Sequence, residues 1–232
     1  MTSANIDALT QAIRMQLGDP TTFKVPTGYP DSLALCVIDS IQSTGVQYVA
    51  VVNVLSQYRT YQSAHGREPN ADSASDLLHT FEEVGGSAGW ADMVKNHNKT
   101  STQRGAPLKS EAIRLVAEAL VSLGVNQAED LRRLGDAPQA YEEVRRAWTG
   151  VVGQRSATTW HYVQMLAGVP GVKPDRMIVR FIARATGLRP RDVSLGRAVE
   201  LVTGAASVLE VSPNALDHAI WTYQSGLARR RS

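Results

Sequence analysis

The sequence around position 175 would hold a carboxylate ready for chemistry. Pro174 fixes the chain before Asp175 and the helical run DRMIVRFIARATG starts with it, so Asp175 falls at the cap or first position of a helix. There the positive helix end and the adjacent Lys173 favour a charged carboxylate. Such a group can activate a water, or stabilise the cationic sugar that develops as an N-glycosidic bond breaks. A plain helix cap needs the same residue at the same place, so both readings stand. A second feature lies upstream, where Gly150-Val151-Val152-Gly153 joins two helical runs. Gly150 and Gly153 allow backbone conformations that let consecutive N–H groups face one concavity, and the next helix start adds partial positive charge. Together these grip a phosphate without reading sequence. An ordinary helix–helix turn is the alternative.

The elements that must position these groups are helical. Ile113, Val116, Ala117, Leu120 and Leu123 recur at helical spacing between Ser110, a plausible cap, and Gly124, a plausible stop. Similar periodicity marks 5–17, 74–84, 139–149, 154–167, 176–186, 192–209 and 213–227. The stretch 31–61 reads as two helices broken near Ser43-Thr44-Gly45. Tyr48–Leu55 is Val-rich enough for a strand, yet no partner strand with hairpin chemistry is visible, so the fold class is all-α. Two polar loops interrupt the pattern, His65–Asn70 and the basic Lys95–Pro107, the latter long enough to track a nucleic-acid backbone.

Composition narrows the function classes. The 232 residues hold one cysteine, Cys36, in an apolar run, which excludes an internal disulfide, a four-cysteine zinc site and a cysteine-ligated iron–sulfur cluster. No metal site or cofactor is expected. The N-terminal MTSANIDALTQAIRMQLG is amphipathic without the charged and apolar regions of a signal peptide, and no apolar run reaches membrane-spanning length. A cytoplasmic location is expected, nucleoid-associated in a bacterium, with no membrane partner. The net charge of +2 is a weak pointer to nucleic acid. Its distribution says more, because Lys173, Arg176, Arg180, Arg184, Arg189, Arg191 and Arg197 face only Asp175 and Asp192, and Arg229, Arg230 and Arg231 close the chain. A solvated helix face with a frayed tail is the plainer account.

In order, these features resemble the helix-hairpin-helix DNA glycosylases of the endonuclease III type. That family has a Gly-x-Gly hairpin opening a helix that begins x-Lys-Thr-Ala, followed by Val-Asp-Thr-His-Val-x-Arg with a catalytic aspartate. The present chain gives Gly153-Gln154-Arg155-Ser156-Ala157, then Val172-Lys173-Pro174-Asp175-Arg176-Met177-Ile178-Val179-Arg180. A second patch, Ser40-Ile41-Gln42-Ser43-Thr44, is similar to the family's Ser-x-Gln-x-Thr, whose glutamine fills the gap left by a flipped base. The resemblance covers residues 30–62 and 108–187. It implies a two-lobed helical bundle, with a core lobe at 25–138 carrying Gln42, a hairpin and aspartate segment at 139–187, and a lobe of both termini, 1–24 with 188–232.

The implied activity is base flipping and hydrolytic excision from double-stranded DNA by a monomer without an iron–sulfur cluster. Asp175 is the catalytic candidate. Gln42, Gly150, Gly153, Gln154, Arg155, Ser156, Lys173 and Arg176 are the DNA-contact candidates, and Asp39, Trp160 and Tyr162 the pocket candidates. His161 neighbours Trp160 on another helix face, and His218 with Trp221 falls on a final helix expected to cross the first. Arg155 stands where the family has its nucleophilic lysine. A guanidinium forms no Schiff base, so only monofunctional chemistry is expected. Val151 replaces the first family glycine, and Lys173-Pro174 before Asp175 is atypical. Two rivals follow, a catalytically inactive module for distorted or modified DNA and a helical protein–protein adaptor. Arg155 and Val151 favour the inactive module, whereas Asp175 favours the enzyme.

Overall fold

The sequence LALCVIDSIQ is apolar on almost every side, and its helix is buried along its whole length as the axis of one core. The computed structural model describes residues 2–226, and Arg229, Arg230 and Arg231 lie outside them. Within that range the chain is all-α, with no strand among the described residues. It opens with α1 (Thr2–Leu17) and continues through α2 (Leu33–Gln42), α3 (Tyr48–Ala64), α4 (Ala74–Glu83), α5 (Gly86–Met93) and α6 (Lys109–Ser122). Then come α7 (Ala128–Arg133), α8 (Pro138–Gly150), α9 (Thr158–Leu166), α10 (Arg176–Thr186), α11 (Leu195–Val208) and α12 (Pro213–Gln224). None is long and apolar enough to cross a membrane.

The chain divides into two units, residues 28–169 and residues 1–27 with 170–232. In the first, α2 packs against α9, α6, α3 and α4. Its core joins Leu33, Ile38, Tyr58, Trp90, Ile113, Trp148 and Trp160. Ser32 caps α2 by accepting the Leu35 N–H, and its hydroxyl reaches the Pro69 carbonyl at 2.9 Å, tying the helix start to the 65–72 loop. The unit's entry is equally tight. Gly28 stands at φ +61, and a β-carbon there would come within 2.3 Å of the Leu166 carbonyl oxygen.

In the second unit, α1 packs against α11, α10 and α12, placing Leu9 and Ile13 among Phe181, Ile182, Leu201, Val202 and Ile220. The expected hairpin and aspartate segment, 139–187, is thereby divided. Residues 139–169 supply Val144, Trp148 and Val163 to the first core, while Val172, Ile178 and Phe181 belong to the second. Two helices have no counterpart in the sequence reading. α5 carries two of its eight residues as glycine, and α7 has only six residues, too few to display a period. Trp90, fully buried and stacked on Phe81 at 5.2 Å, anchors α5 from outside its own sequence pattern.

Candidate nucleic-acid interface and carboxylate site

The hairpin between α8 and α9 is held from beneath by a polar chain. Trp148 Nε1–H donates to Thr159 Oγ1 at 2.9 Å, and the Thr159 hydroxyl donates to Gln154 Oε1 at 2.6 Å. Gln154 is buried, so this candidate DNA contact serves instead as the internal brace of the turn. Gly150 also changes role. It closes α8 as a helical residue, and the left-handed positions are Gly153 at φ +88 and Ala157 at φ +57. Only Gly153 is sterically required, since a β-carbon there would lie 2.8 Å from Thr100 Cβ.

That contact sets the hairpin against the basic 95–107 loop. The loop is pinned at its base by the Thr100 N–H on the Pro107 carbonyl and the Lys109 N–H on the Asn98 carbonyl. Lys95, Lys99 and Arg104 are exposed on it, as are Arg155 and Ser156 on the hairpin. No protein acceptor among the described residues takes the backbone N–H of Val152, Gly153, Arg155 or Ser156. α9 starts at Thr158, and Ala157 before it offers no side-chain cap. Ser156 Oγ instead reaches Thr158 Oγ1 at 3.2 Å. A helix start with open amides, flanked by exposed cations, is a setting for an anion.

Near the end of α2 the structure gathers a buried polar group. Asp39 is fully buried, and its Oδ2 accepts the hydroxyls of Tyr29 at 2.9 Å and Tyr48 at 2.8 Å. Tyr162 adjoins the same set through Tyr48, and burial followed by the Asp39 charge pushes the phenols of Tyr29 and Tyr48 upward. Asp39 and Tyr162, paired as pocket candidates, thus share one cluster, with Tyr29 and Tyr48 as members the sequence reading missed. Trp160 does not join it. It is fully buried and donates from Nε1 to the Tyr141 hydroxyl at 3.0 Å, so it is a core residue. His161, half-buried beside it, is held below the usual histidine range by burial and then by Arg145.

Gln42 is corrected as well. It is 1% exposed and its Nε2 finds no partner among the described residues. A wedge must stand clear of the surface, and here α2 is enclosed on all sides. Lys109 Nζ seals its end, donating to the Gln42 carbonyl at 2.8 Å and the Thr44 carbonyl at 2.6 Å. The Ser-x-Gln-x-Thr spacing records this helix end, where Thr44 Oγ1 also returns to the Ile41 carbonyl.

In the other unit Asp175 caps α10, its Oδ1 accepting the N–H of Met177 at 2.7 Å and of Ile178 at 3.2 Å. It is half-buried. The loop before it is turned tightly, with the Asp175 N–H on the Lys173 carbonyl at 2.7 Å. Two α12 side chains hold that loop. Asn214 Oδ1 accepts the Gly171 N–H at 2.5 Å, and Asp217 Oδ1 accepts the Lys173 N–H at 2.9 Å. Burial pushes the Asp217 carboxyl up to about 8, against the lowering pull of the Lys173 N–H, and the nearby Asp175 charge adds to the rise. Neither residue was singled out from the sequence. The available signal was an acid inside the apolar run Ala215–Ile220.

From Asp175 onward α10 turns a basic face outward. Arg176, Arg180 and Arg184 are exposed at four-residue intervals, and Arg184 reaches Gln224 at 2.9 Å. Arg189 pairs with Asp192, whereas Arg176 and Arg180 make no ion pair with a described residue. His218 stacks on Trp221 on α12, with ring centroids 6.0 Å apart.

Among the described residues the chain is all-helical. The family described as a domain of unknown function, DUF8548, matches residues 7–225, and the chain belongs to it. No curated protein and no solved structure is significantly similar to it.

Proposed function

We propose that the protein binds duplex DNA and hydrolyses an N-glycosidic bond as a monofunctional glycosylase, with Asp175 as its catalytic carboxylate. The observation that carries this reading is Asp175 fixed at the head of a helix whose exposed face is lined by Arg176, Arg180 and Arg184. Phosphate contacts along that face would position a strand, and the carboxylate would stabilise positive charge developing on a sugar and direct a water to it. The hairpin supports the same partner, since its open amides and Arg155 suit a phosphate without sequence readout. Arg155 supplies charge but no amine nucleophile, so the chemistry is hydrolysis without strand cleavage.

Duplexes carrying a panel of modified bases provide the test, with alkali-labile abasic sites as the readout. Wild-type protein is expected to release at least one base and Asp175→Asn to lose at least about 100-fold in rate. Tight, salt-sensitive binding without release would instead support a catalytically inactive module for distorted DNA. The burial of Gln42 favours that second reading, because it leaves no side chain at this position to fill a vacated stack. Failure to bind any duplex at low salt would remove both.

A further inference from the structure

We infer that Asn214 and Asp217 are positioning residues: from α12 they clamp the 171–175 loop and so fix where Asp175 stands. The clamp is visible in the two side-chain acceptors on alternate loop amides, Gly171 N–H on Asn214 at 2.5 Å and Lys173 N–H on Asp217 at 2.9 Å. Both side chains are buried, and both stand on the first turns of α12, itself capped by Ser212. The loop, whose Val172 is buried in the second core, is thus also bolted by its backbone to a helix that packs against α10, α11 and α1. The next cap is the one Asp175 provides for α10, so displacement of the loop would displace the carboxylate with it.

The charged groups acting on Asp217 are Lys173 and Asp175, and no charged side chain of α1, α10 or α11 among the described residues adds to them. Its carboxyl, pushed up to about 8 by burial, holds a proton through neutral pH. A neutral acid keeps its acceptor for Lys173 without placing a second full negative charge beside Asp175. Deprotonation is the event that would report the contact, because the Lys173 amide senses the bound carboxyl directly.

The consequence for turnover rests on Asp175 being catalytic, whereas the clamp itself does not, and the full-length protein can be tested for each separately. In backbone NMR the Lys173 amide should titrate near pH 8 in the wild type and stay flat in Asp217→Asn, which keeps an acceptor but cannot ionise. Amide exchange at Gly171 should quicken about tenfold in Asn214→Ala, and at Lys173 in Asp217→Leu, as one lost buried hydrogen bond implies. In the base-release assay Asn214→Ala should lower turnover about 10- to 100-fold with DNA affinity unchanged. Unaltered exchange at Gly171 in Asn214→Ala together with a Lys173 amide that does not titrate would overturn the clamp. Should Asp217→Leu not fold, those two measurements still decide. Should the wild type release no base, the glycosylase reading fails while the amide measurements continue to judge the clamp.

Discussion

Asp175 and Asp217 serve the same loop under opposite conditions. One caps a helix at a half-buried position, and the other is enclosed and held high by burial. For Asp217 the native value of about 8 stands above the unfolded value of about 3.9. The native state therefore holds an extra proton between those limits. The contribution of Asp217 to stability is greatest below the lower value, declines as pH rises through the window, and levels off above about 8. Urea unfolding at acidic and mildly alkaline pH should show the wild type losing up to a few kcal/mol that Asp217→Asn does not lose. Asp39 yields a second expectation. Tyr29→Phe and Tyr48→Phe each remove one donor from the same oxygen, and each should cost about 1 kcal/mol. The double variant should exceed their sum, because the first loss leaves the other donor in place. At this scale the capping position of Asp175 was legible, since capping is set by the adjoining residues. The burial of Gln42, Gln154 and Trp160 was not, since it depends on helices distant in sequence.

The hairpin shows how much an element owes to its neighbours. Gly153→Ala should destabilise the protein by about 1–3 kcal/mol, from an unfavourable left-handed backbone and a clash with Thr100. It should also weaken DNA binding, which fluorescence anisotropy would measure beside thermal unfolding. The glycine pair predicts left-handed freedom at Gly150 as well, but α8 extends through that residue and Ala157 takes the second position. α5 teaches the complementary point. Its own residues, GSAGWADM, argue against a helix. Gly89 is nonetheless needed where the chain doubles back on Val84, whose carbonyl oxygen a β-carbon would meet at 1.7 Å. Trp90→Ala should cost about 3–5 kcal/mol by emptying the site beside Phe81 and Tyr58, a loss that chemical denaturation would report.

Each of the two units has its own core, but only one is continuous in sequence. Residues 28–169 expressed alone should melt cooperatively. Residues 170–232 alone should not, because Leu9 and Ile13 of α1 are missing from their core. Circular dichroism of the two fragments would show it. For the intact chain, replacing Arg176, Arg180 and Arg184 by alanine should weaken DNA binding across sequences and lower the salt slope by up to about 3.

The periodicity of the chain determined the all-α class and most helix positions, and the local order Pro174-Asp175 followed by an apolar run determined the cap, because both depend on residues within a few turns of each other. Tertiary structure alone decided that Asp175 shares its loop's fastening with Asn214 and Asp217, some forty residues away. It alone enclosed Gln42 and divided the chain at Val169, since burial and long-range hydrogen bonds follow from which helices meet.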